Sequence, residues 1–255
     1  MKKLKFCLVL AVILSMTTVT ASARECSSWY IKRNGTGRPG FPKEAEELSA
    51  LDCYYIDDAA CARGEKKLYL TFDAGYENGN VERILDVLRD EGVPGAFFLL
   101  DNIIMKNTEL VLRMADEGHL VCNHTKSHKN LAAADSATIA RELSALEDIY
   151  REYTGREMAK YFRFPEGNYS TEAVRAVQSL GYKTVFWSFG YADWDNQKQP
   201  SAAYAKEKIL SNTHDGAVIL LHPTSATNAS ILRELIGEWR RMGYTFGTLD
   251  ELTAR

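Results

Sequence analysis

The strongest constraint on this chain is an alternation that begins at Lys67: short apolar runs of strand length are separated by amphipathic stretches of helix length, and the runs stop at polar residues. Leu68-Tyr69-Leu70-Thr71-Phe72 opens the series and breaks at Asp73, with Gly75 close behind. That is the pattern of a buried strand delivering a carboxylate to its own end. Val81, Ile84, Leu85 and Leu88 then recur at the spacing of a helix with one buried face. The same reading predicts further strands over 95–100, 120–123, 161–164, 184–188, 217–222 and 244–246. Helices are predicted over 80–91, 108–117, 136–154, 171–180, 202–211 and 228–242. Strands separated by such helices imply parallel β/α units, and about seven of them predict an α/β barrel of distorted (β/α)7 type.

In parallel folds of this kind the working residues sit at the carboxyl ends of the strands. Asp73 closes the first run, Asn123-His124 the third and His222 the sixth; Arg163 lies near the end of the fourth and Asp193 follows the fifth. They fall on one rim. His124 and His128 are four residues apart and would meet on one face if the segment turned helically; imidazole is the commonest nitrogen ligand for zinc. Two surface histidines would explain that pair equally well in isolation. An aspartate, an arginine and a third histidine on the same rim favour a divalent metal, zinc by donor type.

The remaining chain sets the context. The 255 residues, 45% hydrophobic and 25% charged, suffice for one large domain with a short appendage. Lys2, Lys3 and Lys5 precede an apolar run from Phe6 to Met16, and Ala21-Ser22-Ala23 offers a cleavage site, so residues 1–23 read as an export signal. An uncleaved anchor is the alternative, but the run is short of the roughly 20 apolar residues a bilayer needs, so no stable membrane span is expected. Loss of three lysines would move the formal charge from −3 to −6, which excludes nucleic acid or another polyanion held by charge alone. Residues 24–64 read as an irregular N-terminal arm, rich in glycine and proline over 34–42 with a short helix over 43–51; residues 65–255 form the main domain. Of the cysteines left after export, a bridge is expected among Cys26, Cys53 and Cys61, with Cys122 a buried thiol. His119 and His214 close no strand and are expected at the surface or in turns, while Phe97, Phe98, Phe186 and Trp187 are expected in the core.

Thr71-Phe72-Asp73, His124-x-x-x-His128, Arg163-x-Pro165, Asp193-Trp194 and Leu220-Leu221-His222 resemble, in order, the motifs of the NodB-type polysaccharide deacetylases, a carbohydrate esterase family. The match covers nearly all of residues 66–252. Within the family, Thr71-Phe72-Asp73-x-Gly75-Tyr76-Glu77-Asn78-Gly79 and Gly243-Tyr244-x-Phe246-x-x-Leu249-Asp250 look most like the delta-lactam-biosynthetic de-N-acetylases, as does the arm from Trp29 to Asp58 more loosely. The resemblance implies metal-assisted hydrolysis of an acetamide on N-acetylmuramic acid, in the spore cortex peptidoglycan of an endospore former. It implies Asp73 as general base paired with Arg163, and His222 as general acid held by Asp193. His124 and His128 would ligate the metal, and Trp194 would wall the acetyl pocket. The backbone N–H of Glu166, beside Pro165, would meet the oxyanion. Tyr76 stands beside the rim, where it could meet the lactyl group. The implied partner is a peptidoglycan glycan strand, and the implied location is outside the cytoplasm, secreted or on the envelope, which includes the forespore intermembrane space.

Two positions depart from the pattern. Ala74 stands where the family usually has a metal-binding Asp and the subgroup Asn; Glu166 replaces a basic residue expected in the subgroup. These leave two other readings open: a deacetylase of N-acetylglucosamine in peptidoglycan or a chitin-like polymer, and a catalytically silent glycan-binding module.

Overall fold

The computed structural model describes residues 25–254; the export signal expected over 1–23 lies outside them. Among the described residues ten strands form: β1 (Ser27–Ser28), β2 (Cys53–Tyr54), β3 (Lys67–Ala74), β4 (Ala96–Leu99), β5 (Leu120–Asn123), β6 (Ala159–Phe162), β7 (Asn168–Tyr169), β8 (Lys183–Val185), β9 (Ala217–Leu221) and β10 (Thr245–Phe246). The main sheet runs β10-β3-β4-β5-β6-β8-β2 with β9 also paired to β3, and every pairing is parallel. Phe189, beyond β8, bridges Ile219 of β9, and Ile56, beyond β2, bridges Ala217. The sheet therefore curls toward closure, and the expected distorted α/β barrel is what forms.

The packing follows from the alternation. β3 is buried from Leu68 to Phe72, and the helix Asn80–Glu91 lays Val81, Ile84, Leu85 and Leu88 against it. Gly79 starts that helix at φ 88°, a left-handed turn that glycine adopts without the Cβ penalty. Ala226–Arg241 packs on the same side through Leu232, Leu235, Ile236 and the fully buried Trp239.

Several elements depart from expectation. β8 ends at Val185 rather than Ser188, because the backbone N–H groups of Ser188 and Phe189 turn to the carbonyl of Val218. The arm is less irregular than its composition suggests. Its β2 pairs with β8 as an edge strand of the main sheet, β1 pairs antiparallel with β7, and Asp58–Arg63 is helical. Cys53, Cys61 and Cys122 are free thiols, so no bridge joins the N-terminal trio; Cys122 is buried as expected. His119 and His214 are buried rather than at the surface. His119 does support a turn, accepting the Gly95 N–H at Nδ1, and His214 is fixed by the Ser188 hydroxyl and the Asn212 carbonyl. Among the described residues no helix is long and apolar enough to cross a membrane.

Candidate active site

Arg163 organises the floor of the site. It follows β6 and is wholly buried beneath the rim. Its Nη1 donates to Asp73 Oδ1 at 2.7 Å, Nη2 to Thr71 Oγ1 at 2.9 Å and the Phe186 carbonyl at 3.2 Å, and Nε to the Val185 carbonyl at 2.9 Å. The guanidinium also lies 4.2 Å from the centroid of the Phe98 ring. A buried cation this fully partnered fixes the carboxylate it faces, and breaking such a pair costs about 3–5 kcal/mol. Burial alone would raise the pKa of Asp73, but Arg163, His124 and His222 outweigh it and hold the carboxyl below its usual range.

A second fixed pair stands at the end of β9. The Asp193 carboxylate accepts the His222 backbone N–H at Oδ2 and the imidazole Nδ1–H at Oδ1, both at 2.8 Å. Asn228 Nδ2 donates to the same Oδ2 at 2.6 Å, and the Tyr191 hydroxyl donates to Asn228 Oδ1. Asn228 reaches this position because Ser225 caps Ala226–Arg241, its Oγ accepting the Asn228 N–H and fixing the first turn under Asp193. With Nδ1 committed to a carboxylate, Nε2 is the nitrogen of His222 left for other chemistry. Burial would lower the pKa of His222, but the bond to Asp193 and the charges of Asp193 and Asp73 raise it above the ordinary imidazole value.

The histidine pair is held differently. Asn123 Oδ1 accepts the Thr125 N–H, and Thr125 adopts φ 69° and His128 φ 57°, so the segment does not make the helical turn expected for it. The rings still converge, edge to face with centroids 5.1 Å apart. His124 is buried and its Nδ1 lies 2.8 Å from the Arg163 carbonyl, which can only accept, so Nδ1 carries the proton. Its Nε2 is left with a lone pair, 3.6 Å from Asp73 Oδ2. Burial, opposed by Asp73, lowers the His124 pKa to about 4, which keeps the ring neutral as a metal ligand must be. His128 is exposed. Beside them Ala74 presents a methyl, and among the described residues no three His, Cys, Asp or Glu side chains are arranged to hold a metal ion. The protein thus offers two donors where catalytic zinc sites usually have three, an incomplete fit.

These groups open into one cavity of about 640 Å³, within the usual range for small-molecule sites. Asp73, His124, His128 and His222 line it together, as do Tyr76, Glu166 and the 61% exposed Trp194. Tyr76 is tied to Asn196 through its hydroxyl. Glu166 sits in a tight turn from Pro165 to Gly167 at φ 58°. Pro165 is buried in that turn and does not line the cavity, and neither do Arg163 and Asp193, which lie behind the groups they hold. Trp187, expected in the core, is a wall of the cavity instead; Gly167 makes room for it, since a Cβ there would lie 2.8 Å from the indole. Asn228 also escaped the sequence reading, and only its place three residues after a capping serine hinted at a role.

A parallel α/β fold with a carboxylate-arginine pair and a histidine-aspartate pair facing one cavity defines a hydrolase-like site, and comparison with known proteins makes the class definite. Residues 61–185 match the family Polysaccharide deacetylase. The chain is 35% identical over 248 residues to the peptidoglycan-N-acetylmuramic acid deacetylase PdaA of Bacillus subtilis, covering 95% of this chain and 92% of that one. The solved structure of B. subtilis PdaA, a family 4 carbohydrate esterase, superposes with a TM-score of 0.83 over 89% of this chain and 97% of that one, at 35% identity. The peptidoglycan-N-acetylglucosamine deacetylase PgdA of Listeria monocytogenes is 29% identical over 201 residues, 77% of this chain and 41% of that protein. The chain belongs to the polysaccharide deacetylase family.

Proposed function

We propose that this protein hydrolyses the N-acetyl group of N-acetylmuramic acid in peptidoglycan, outside the cytoplasm. The observation that carries the reading is the meeting of two independently fixed pairs, Asp73 with Arg163 and His222 with Asp193, at a single sugar-sized cavity. A silent binding module has no need of a matched base and acid. The similarity to PdaA along nearly the whole chain supports the sugar.

In this mechanism Asp73, kept ionised by Arg163, takes a proton from a water molecule as its oxygen bonds to the acetamide carbon. The backbone N–H of Glu166, in the turn that borders the cavity, would meet the oxygen that becomes negative. The C–N bond then breaks, His222 Nε2–H gives its proton to the departing nitrogen, and acetate and a sugar amine result. Trp194 and Trp187 wall the site around the acetyl methyl. A divalent cation, zinc by donor type, held by His124 and His128 would polarise the carbonyl and acidify the water. The freed amine lies beside the lactyl carboxylate of the same sugar, placed for closure to a muramic lactam with loss of water, as in spore cortex.

A second reading, deacetylation of N-acetylglucosamine, is favoured by Glu166, a carboxylate in the main cavity where an anionic sugar gains nothing. Incubation with peptide-free glycan, followed by mass analysis of the released sugars, separates them. Deacetylated muramic acid, or its lactam, is the expected product; glucosamine alone would replace the first reading with the second.

A further inference from the structure

The N-terminal arm brings a cation to the wall of the site. Trp29 anchors it: the indole Nε1–H donates to the Trp187 carbonyl at 2.8 Å, and the ring stacks on Phe186 with centroids 4.4 Å apart. Lys32 and Gly40 then exchange backbone hydrogen bonds at 2.8 and 2.9 Å, which closes the loop that begins with Arg33. Arg33 Nη2 donates to the Gly190 carbonyl at 2.6 Å, and its guanidinium lies 5.8 Å from the centroid of the Phe189 ring. A carbonyl and an aromatic face orient the group without neutralising it, and its other N–H donors are left for a ligand.

Arg33 lines a second cavity, of about 240 Å³, that shares Trp187, Trp194, Leu220 and His222 with the main one. The two spaces thus share one wall, of which His222 is part. Among the described residues lining either space, Arg33 is the one permanent cation, whereas Asp73 and Glu166 place negative charge in the main cavity. In N-acetylmuramic acid the ring carbon next to the acetamide carries an ether-linked lactate. With the acetamide beside His222, that carboxylate would be disfavoured on the side of Glu166 and favoured on the side of Arg33.

We propose that Arg33 is a specificity-determining residue that binds the free lactyl carboxylate of the sugar whose acetamide is hydrolysed. This rests on the muramic acid reading above and assigns to the arm a charge that the main cavity lacks. A guanidinium matches a carboxylate with paired N–H donors, and the interaction weakens with added salt because the group is exposed.

The test uses the full exported chain, wild type and Arg33→Gln, on three substrates: a peptide-free oligosaccharide containing N-acetylmuramic acid, the same compound as its lactyl methyl ester, and an N-acetylglucosamine oligomer. Acetate release gives kcat and KM. Arg33→Gln is expected to lose about tenfold in kcat/KM on the free acid, mostly in KM, while the ester and the glucosamine oligomer are unaffected. Arg33→Lys should recover part of the loss, and raised salt should shrink the wild-type preference for acid over ester. An equal loss on all three substrates would make Arg33 a mere tether of the arm and overturn the proposal, as would a wild type that treats acid and ester alike. A wild type releasing no acetate from the muramic substrate would remove the underlying reading itself, and the proposal with it.

Discussion

His222 and His124 both lie on the rim of one cavity and both bond through Nδ1, yet the two sides of the rim are finished to different degrees. On the His222 side a carboxylate, an asparagine and a tyrosine form a closed chain of hydrogen bonds through Asp193 and Asn228. On the His124 side the imidazole is tied only to a backbone carbonyl, its companion His128 is exposed, and a methyl stands where a third donor would complete a metal site. The protein fixes His222 through side chains and leaves the two imidazoles of the other side without a third side-chain donor among the described residues. Ala74 therefore bears on the His124 side of the rim and has no part in the hydrogen bonds that hold His222.

Removing His222 strikes the finished side. His222→Ala is expected to lower kcat by about 10²–10⁴-fold, read as acetate release from peptide-free glycan, because the proposed mechanism has His222 deliver the departing nitrogen its proton. Retained activity would mean that the closed chain around Asp193 is structural only.

The unfinished side should respond to repair. Ala74→Asp supplies the missing carboxylate beside His124 and His128, and zinc affinity by equilibrium titration should rise about tenfold or more. Unchanged affinity would show that the third position is already filled from elsewhere.

The pH profile sharpens the contrast on one residue. The proposed mechanism needs Asp73 ionised and His222 protonated; the first is held below its usual range and the second above the ordinary imidazole value. Activity therefore needs a pH above the first and is lost as pH rises through the second. Asp193→Asn removes the main support of the imidazolium, so the alkaline limb of kcat should move to lower pH, by about one pH unit. A limb that stays in place would assign it to another group.

How much of this could be read from the sequence depends on what each residue does to its neighbours along the chain. Asp73, His124, Arg163, Asp193 and His222 were legible because each interrupts or follows an apolar run, and a parallel barrel gathers such interruptions on one rim. Trp187 was not, since Val185-Phe186-Trp187 reads as continuous strand; the strand ends at Val185, and only the turn toward β9 makes the indole a wall of the cavity. The helical turn expected between His124 and His128 failed because Asn123 captures the Thr125 N–H, a local bond that competes with helix. His119 and His214 hold turns, as expected, but their rings are buried, and the chain pattern does not register that. Arg33 and the cysteines depend on where the arm folds back, and no periodicity encodes that.

In the proposed mechanism Asp73, fixed by Arg163, is the base that starts hydrolysis of a sugar acetamide. Acetate release from peptide-free glycan containing N-acetylmuramic acid, compared between the wild type and Asp73→Asn, tests it directly. Arg163 keeps its bonds to Thr71 and to the Val185 and Phe186 carbonyls in the variant, so a folded protein is expected and circular dichroism checks it. The account predicts release by the wild type and a loss of at least about 10²-fold in the folded variant. A folded Asp73→Asn protein releasing acetate at the wild-type rate would contradict it.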